Sequence, residues 1–372
     1  MISRASAVVC VVSAAVALGA ITTVVAAQGA PRSGAPPATW HLVLRATIAR
    51  DTASPLRDPA ELVVDSRGRI IVLDRQPAAI RVFDRSGREL PPWAREGGGP
   101  GEIADAGMLL ISRDTVVHQD PRQSRAQAFT PEGRVFRQWR SPCCMRVPVA
   151  ADTLGRYPLP GVTVLAGGGG QGMTADRGFA RFRTDGRVTD TIAFWPMSPA
   201  KLWQVGGDRL LIPFQPTTLG VFSRGGLLLW GNQAVDRLVV SRDGRDTVRL
   251  ISVPGTRPVP IPQGLRAETF SQLMKRRPEL ASVARLSDLS SNYPSWSGMA
   301  IDDADRIWLL RPGVGGVAHF DVLALDGVVV ATVPTTLSDA TRLYITRGAV
   351  YAIESDEMLG SDVIRVFDIV RH

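Results

Sequence analysis

Lysine is almost missing from this chain: of its 43 basic residues only Lys201 and Lys275 are lysines. The arginines are scattered singly, with no Lys/Arg block of the kind that forms a nucleic-acid tail. The substitution of arginine for lysine throughout reads as a compositional bias. The net charge of +8 still favours contact with anionic surfaces. Cysteine is as scarce, with only Cys10, Cys143 and Cys144. That excludes a disulfide framework, so stability must come from a large buried core. Adjacent cysteines close only a strained ring, so Cys143 and Cys144 are expected as reduced thiols, with a vicinal disulfide as the alternative. The four histidines are His41, His118, His319 and His372. No His-Glu-x-x-His, Gly-x-Ser-x-Gly, Walker or Cys-x-x-Cys pattern occurs, so the common hydrolase, nucleotide and redox signatures are absent. No catalytic residue, metal ligand or cofactor is assigned. His118/Asp120 and His319/Asp321 each have the spacing that puts two side chains on one sheet face, and satisfied polar groups between sheets account for them.

Charge is absent between Arg4 and Arg32, where Ala5 to Ala27 is an unbroken run of small and apolar residues. Val25-Ala26-Ala27 fits the small-residue rule for signal cleavage, and GAPRSGAPPAT follows as a flexible linker. Residues 1–27 are therefore expected as a signal peptide, 28–39 as a linker and 40–372 as the folded domain. The destination is extracytoplasmic, periplasmic or secreted, with membrane contact only if the apolar segment is retained as an anchor.

What is abundant is a repeated pattern. Residues 61–93 contain four short β segments, LVVD, RIIVLD, AIRVFD and RELPPW, separated by tight turns. The pattern returns at 107–139, 147–195, 217–251 and 298–333, and a turn with glycine recurs between the third and fourth segments at Gly87, Gly133, Gly186, Gly244 and Gly327. A sixth copy, from residue 340, runs out after three strands. WHLVLRATI (40–48) has strict two-residue alternation and no hairpin partner nearby. Placed as the outer strand of the sixth copy it closes a ring and leaves no long free edge. The expectation is an all-β, six-bladed β-propeller whose last blade is completed by the N-terminal strand.

GGGPGEI followed by an apolar strand, together with VVDSRGRIIVLD…IRVFDRSG, resembles the NHL-repeat family and its six-bladed relatives. The match is good over the first repeat, fair over the second, fifth and sixth, and poor over the third and fourth. The resemblance implies that EGGGPGEI (96–103) joins the outer strand of one blade to the inner strand of the next. A phosphate-cradling role is disfavoured because no Gly-Lys-Ser/Thr follows and the next element is a strand.

The long insertions, 161–178, 196–216 and 252–296, all fall on the face that carries the second-to-third-strand loops and the inter-blade connections. LRAETFSQLMKRRPELASVARL within the last has helical spacing interrupted near Pro278, giving a short helical insertion between blades four and five. The ends of the second strands and the loops after them supply Asp74, Arg75, Asp120, Arg122, Arg311 and Glu354 as candidate ligand-binding residues. The function expected is a binding or scaffold module, a monomer, for a protein, peptide or glycan ligand and not for nucleic acid. The alternative is a metal-dependent hydrolase or lyase of the lactonase-like six-bladed group.

Overall fold

The structure, a computed structural model, describes residues 36–371 apart from 51–52, 141–155, 164–175, 184–186, 194–200, 206–207, 254–257, 314–316, 338–341 and 357. The signal peptide, Cys143-Cys144 and the start of the third repeat lie outside the described residues.

Each repeat becomes an antiparallel meander because its turns are chemically specified. In the first, Pro59–Val64 pairs with Ile70–Arg75. The turn between them is held by Asp65, whose carboxylate accepts from the Arg69 backbone N–H at 2.8 Å and from its Nε at 2.7 Å. Gly68 sits at φ 77°, where an L side chain is strained. Asp302 repeats this arrangement in the fifth repeat with Arg306, and Ser223 does so in the fourth through its hydroxyl. The second strands of the first and fifth repeats, Ile70–Arg75 and Ile307–Arg311, are held on both sides and are almost wholly buried.

The first, second and fourth repeats form four-stranded sheets. The fifth and sixth form the two halves of one eight-stranded sheet, with Ala38–Ile48 between Val329–Thr335 and Ser361–Arg371. Ala38–Ile48 runs antiparallel to Ser361–Arg371, from Trp40↔Arg371 to Ile48↔Ile364, and touches Val329–Thr335 only through a short parallel stretch, Ala38↔Ala331 and Thr39↔Thr332. Alternation in WHLVLRATI holds at its ends, where Trp40 and Ile48 are buried, and fails in the middle, where Leu44 is exposed like Val43 at the point where the register shifts.

The core is a series of apolar layers between sheets. Val63, Ile71 and Val82 meet Leu109, Val116 and Phe129 between the first and second repeats. Leu229 and Val240 meet Leu309 and Leu323 between the fourth and fifth. Trp308 and Phe320 meet Val350 and Trp40 between the fifth and sixth, and Tyr351 and Ile364 meet Leu62 and Val72 between the sixth and first. Turns are tied across the same junctions: Ser66 to Asp114, Arg224 to Asp305, and Arg347 to Asp303 and to the Ser66 carbonyl. First strands side by side, with sheets stacked face to face, make a β-propeller.

The third repeat departs from expectation. Its described part is a three-stranded sheet of Arg156–Thr163, Asp176–Arg183 and Val188–Ala193. Part of the segment expected as a Gly-rich loop is thus a hairpin, paired from Arg156↔Arg183 to Thr163↔Asp176. Pairing satisfies backbone groups that a loop would leave to solvent, and this outweighs the weak strand propensity of glycine.

Trp40 tests the closing strand. It lies 6.1 Å from Trp308, with the guanidinium groups of Arg306 and Arg371 at 4.9 and 4.8 Å from its ring. Trp40→Ala is expected to cost about 3–5 kcal/mol. A chain starting at Arg50 loses the whole strand, and its melting temperature should fall by about 10 °C or more in calorimetry. An unchanged melting temperature would show that the strand is dispensable.

Candidate ligand-binding face

The glycine-rich segment carries no vacant cradle. The Gly97 N–H donates to the Ile103 carbonyl, Gly99 N–H to the Glu102 carboxylate at 2.7 Å, and Gly101 N–H to Gln127 Oε1 at 3.0 Å. From the other side Arg125 donates to the carbonyls of Gly98, Gly99 and Glu102. The N–H groups of Gly97, Gly99 and Gly101 are thus spent on the protein and not held out for a phosphate.

Five of the repeats place a polar residue at the same register position, the end of the second strand. In the first it is Asp74, which is buried and accepts from the Asp58 N–H at 3.0 Å and more weakly from Arg57. Asp120 in the second is fully buried and accepts from Ala104 and Gln123. In the fourth the task passes from Asn232 to Gln233, whose Oε1 accepts from the Thr217 N–H at 2.8 Å. Arg311 in the fifth is fully buried, donates to the Ser295 carbonyl at 2.9 Å and pairs with Asp321 at 3.0 Å. Glu354 in the sixth is partly exposed and accepts from Arg365. Each of the first four makes at least one bond to chain entering the first strand of the same repeat. Arg75 is half-buried against Asp58 at 3.0 Å, and Arg122 is exposed on the loop after Asp120. Asp74, Asp120 and Arg311 therefore hold chain beneath the face, whereas Arg75, Arg122 and Glu354 present side chains on it.

Sequence reasoning missed the third-strand partners. Arg81 donates to both Glu89 oxygens at 2.7 Å, to the carbonyls of Ser54 and Pro55 and to Asp74 at 3.4 Å. Arg365 plays the matching part for Glu354, and in the fifth repeat the signs are exchanged between Arg311 and Asp321. The signal was available: IRVFD occurs twice, at 80–84 and 364–368, each time following an acid at the second-strand end.

Two insertions combine into one cap. Leu202–Val205 and Asp208–Leu211 form a hairpin, and 252–296 supplies the helix Gln263–Arg276 followed by the 3-10 turns Pro278–Ser282 and Leu286–Asp288. The helix stops where Pro278 removes an N–H donor. Trp203, Ile212, Leu280, Ala284 and Leu289 make a separate small core, with Phe270, Leu273 and Met274 of the helix against it. Trp203 Nε1 donates to Asp288 at 2.9 Å, and Gln215 Nε2 to its carbonyl. The Ser295 N–H donates to the Gln233 carbonyl, so the cap stands on the side where the second strands end.

Two groups, the fully buried His118 and the half-buried Glu61, are pushed far from their usual range. Burial pushes His118 down to about 4, against the pull of Asp120 and the Asp105 carbonyl that its Nε2 meets at 3.1 Å. Its Nδ1 is buried without a hydrogen-bond partner among the described residues. Burial pushes Glu61 up to about 8, although its carboxyl accepts from the Leu109 N–H and lies near Arg75. His319 stands 3.6 Å from Asp321, which already holds Arg311. Among the described residues no three His, Cys, Asp or Glu side chains gather as a metal-holding group. No helix among them is long and apolar enough to cross a membrane.

No protein family and no curated protein matches the chain. Among solved structures it is similar to a member of the DUF4221 family from Bacteroides vulgatus, with 11% identity, 91% of this chain and 100% of that chain covered, and a TM-score of 0.51. A gluconolactonase from Xanthomonas campestris aligns with 12% identity over 90% of this chain and 98% of that one, at a TM-score of 0.42. Virginiamycin B lyase from Staphylococcus aureus aligns with 11% identity over 88% and 99%, at 0.39. These likenesses concern the fold.

The two shifted groups act in opposite directions on stability. His118, lowered in the folded state, destabilises the fold as pH falls from 6.5 towards 4, because the unfolded chain binds the proton first. The full effect is about 3 kcal/mol. Glu61, raised in the folded state, contributes stability that is present below 4.5 and is lost as pH rises through about 8. Melting temperature measured against pH should show both limbs. His118→Gln should flatten the acid limb and Glu61→Gln the alkaline one. Unaltered slopes in either variant would contradict the corresponding assignment.

Proposed function

We propose that the chain is an exported, NHL-like propeller of six blades that serves as a binding module for a protein, peptide or glycan. Its ligand is engaged on the face where the second strands end. The observation that carries this reading is the cap: two insertions from different inter-blade connections share one small core and stand on that same side. Elaboration of one face over minimal turns on the other is how repeat folds separate binding from packing. Arg75, Arg122 and Glu354 supply the exposed charge of the rim, and Asp74, Asp120 and Arg311 hold the chain segments beneath it. The six-blade count is supported by the five inter-repeat sequence matches and by the closing strand, and export by the apolar N-terminal run.

The test uses binders recovered from a glycan and peptide array probed with the folded protein. Arg122→Glu and Lys275→Glu, both exposed, should weaken binding about tenfold or more while leaving the melting temperature unchanged. Asp243→Arg and Asp326→Arg, in turns of the opposite face, should leave it alone. The reverse pattern would place function on the plain face.

A further inference from the structure

Polar groups also converge on the plain face, at its inner side, where the turns between first and second strands stand next to one another. The 302–306 turn of the fifth repeat holds a neighbour on each flank. Asp305 accepts from the backbone N–H groups of Arg224 and Gly225 in the fourth repeat, at 2.6 and 3.0 Å. Asp303 accepts from the Arg347 N–H at 2.6 Å and from the Thr346 hydroxyl at 3.2 Å in the sixth. Two arginines are thus fixed on either side of one turn through their backbones, and their side chains are left for something else.

Both side chains lie near one hydroxyl. Tyr344 stands on the first strand of the sixth repeat, Leu343–Thr346. Its ring packs against the apolar layers on both flanks of Pro59–Val64, so it lies across the inner edge of that strand. Its oxygen accepts from the Val64 N–H, and the charges acting on it are those of Arg224, Asp303 and Arg347. Arg224 belongs to the fourth repeat and Tyr344 to the sixth, so the two converge across the end of the fifth repeat's first strand. Loss of solvent around the hydroxyl pushes its pKa up, and it keeps a proton to donate.

Donors outnumber acceptors in this cluster. Arg224 is half-buried, and among the described residues its guanidinium has no hydrogen bond or ion pair. Arg347 is exposed and gives one terminal nitrogen to the Ser66 carbonyl at 2.8 Å, which leaves its charge unneutralised. Of the turn's three acids, Asp302 is paired with Arg306 at 2.6 Å, while Asp303 and Asp305 are turned to the N–H and O–H groups given above. A dianion such as sulfate would bring its second charge towards Asp303 and Asp305. A carboxylate carries one charge, fits the planar fork of a guanidinium with both oxygens, and can accept from the phenol as well. We propose that the inner side of the plain face binds a small monocarboxylate, held by Arg224 and the Tyr344 hydroxyl, with Arg347 as a second positive charge. The site is separate from the capped face and does not rest on the reading of that face.

Acetate labelled at its carboxyl carbon, titrated with the folded full chain at constant ionic strength, is the test, with line broadening in NMR as the readout. Broadening should saturate, be reversed by excess unlabelled propionate, and persist in sulfate at the same ionic strength. Arg224→Gln should weaken binding about tenfold or more, and Tyr344→Phe, which keeps the ring, about threefold or more. Melting curves confirm that both variants fold. Absence of saturable broadening with the unaltered protein overturns the inference. So does displacement by sulfate as effective as that by propionate, or indifference to both substitutions. If array binders depend on Arg122 and Lys275 while acetate does not bind, this inference alone falls. If acetate binds as expected while array binders ignore Arg122 and Lys275, the reading of the capped face alone falls.

Discussion

The fold depends on how a meander of strands is fixed to the chain that enters it. Apolar layers hold sheet against sheet, but they are non-directional and would tolerate sliding. Direction comes from the buried polar residue at the end of the second strand in the first, second and fifth repeats. Asp74 is the clearest case, because it takes the backbone N–H groups of the incoming segment and is itself faced by Arg81. Arg81 spends its donors on Glu89, Asp74, and the carbonyls of Ser54 and Pro55. A buried charge is tolerable only when its hydrogen-bonding capacity is filled in this way, and removal of one partner typically costs about 3–5 kcal/mol. The exchange of signs in the fifth repeat, with Arg311 and Asp321 in place of Asp74 and Arg81, keeps the geometry while reversing the charges. The first, fifth and sixth repeats keep a satisfied pair at that register, of either polarity.

This explains why charged residues near a candidate binding rim divide into two kinds. Asp74, Asp120 and Arg311, at the strand ends, are buried and bond the inter-blade segments. Those one or two residues later, such as Arg122, point to solvent. The buried members shape the face and the exposed members are free to meet a ligand. At the glycine-rich loop Arg125 likewise serves as a clamp on the chain.

Much of the fold was legible because its signals are local. The Asp-x-x-Gly turns at 65–68 and 84–87 close over a few residues, so the hairpins of the first repeat follow from neighbouring side chains. The helix before Pro278 and the alternation of WHLVLRATI are likewise short-range patterns. The tethers were not legible. Asp74 reads as a ligand-binding candidate until the fold brings residues 57, 58 and 81 to it, and nothing local in the sequence marks Glu61. The third repeat was misread at its hairpin because glycine and proline mark a loop in isolation, whereas a partner strand supplies the missing hydrogen bonds. The cluster at Tyr344 had no sequence signal at all, since its members come from separate repeats.

The strand that completes the sixth sheet also sets an order of events in time. Arg45 bonds Asp368 across a separation of 323 residues, and every contact of that strand pair is of this kind. The first strand to leave the ribosome therefore waits for the last before its pairing can form. Contacts of such long range are slow, because loop closure must be met before any hydrogen bond rewards it. During synthesis the chain lacks its final seam, and Trp40 has no finished sheet to enter. The chain gains its full cooperativity only after the last strand has arrived.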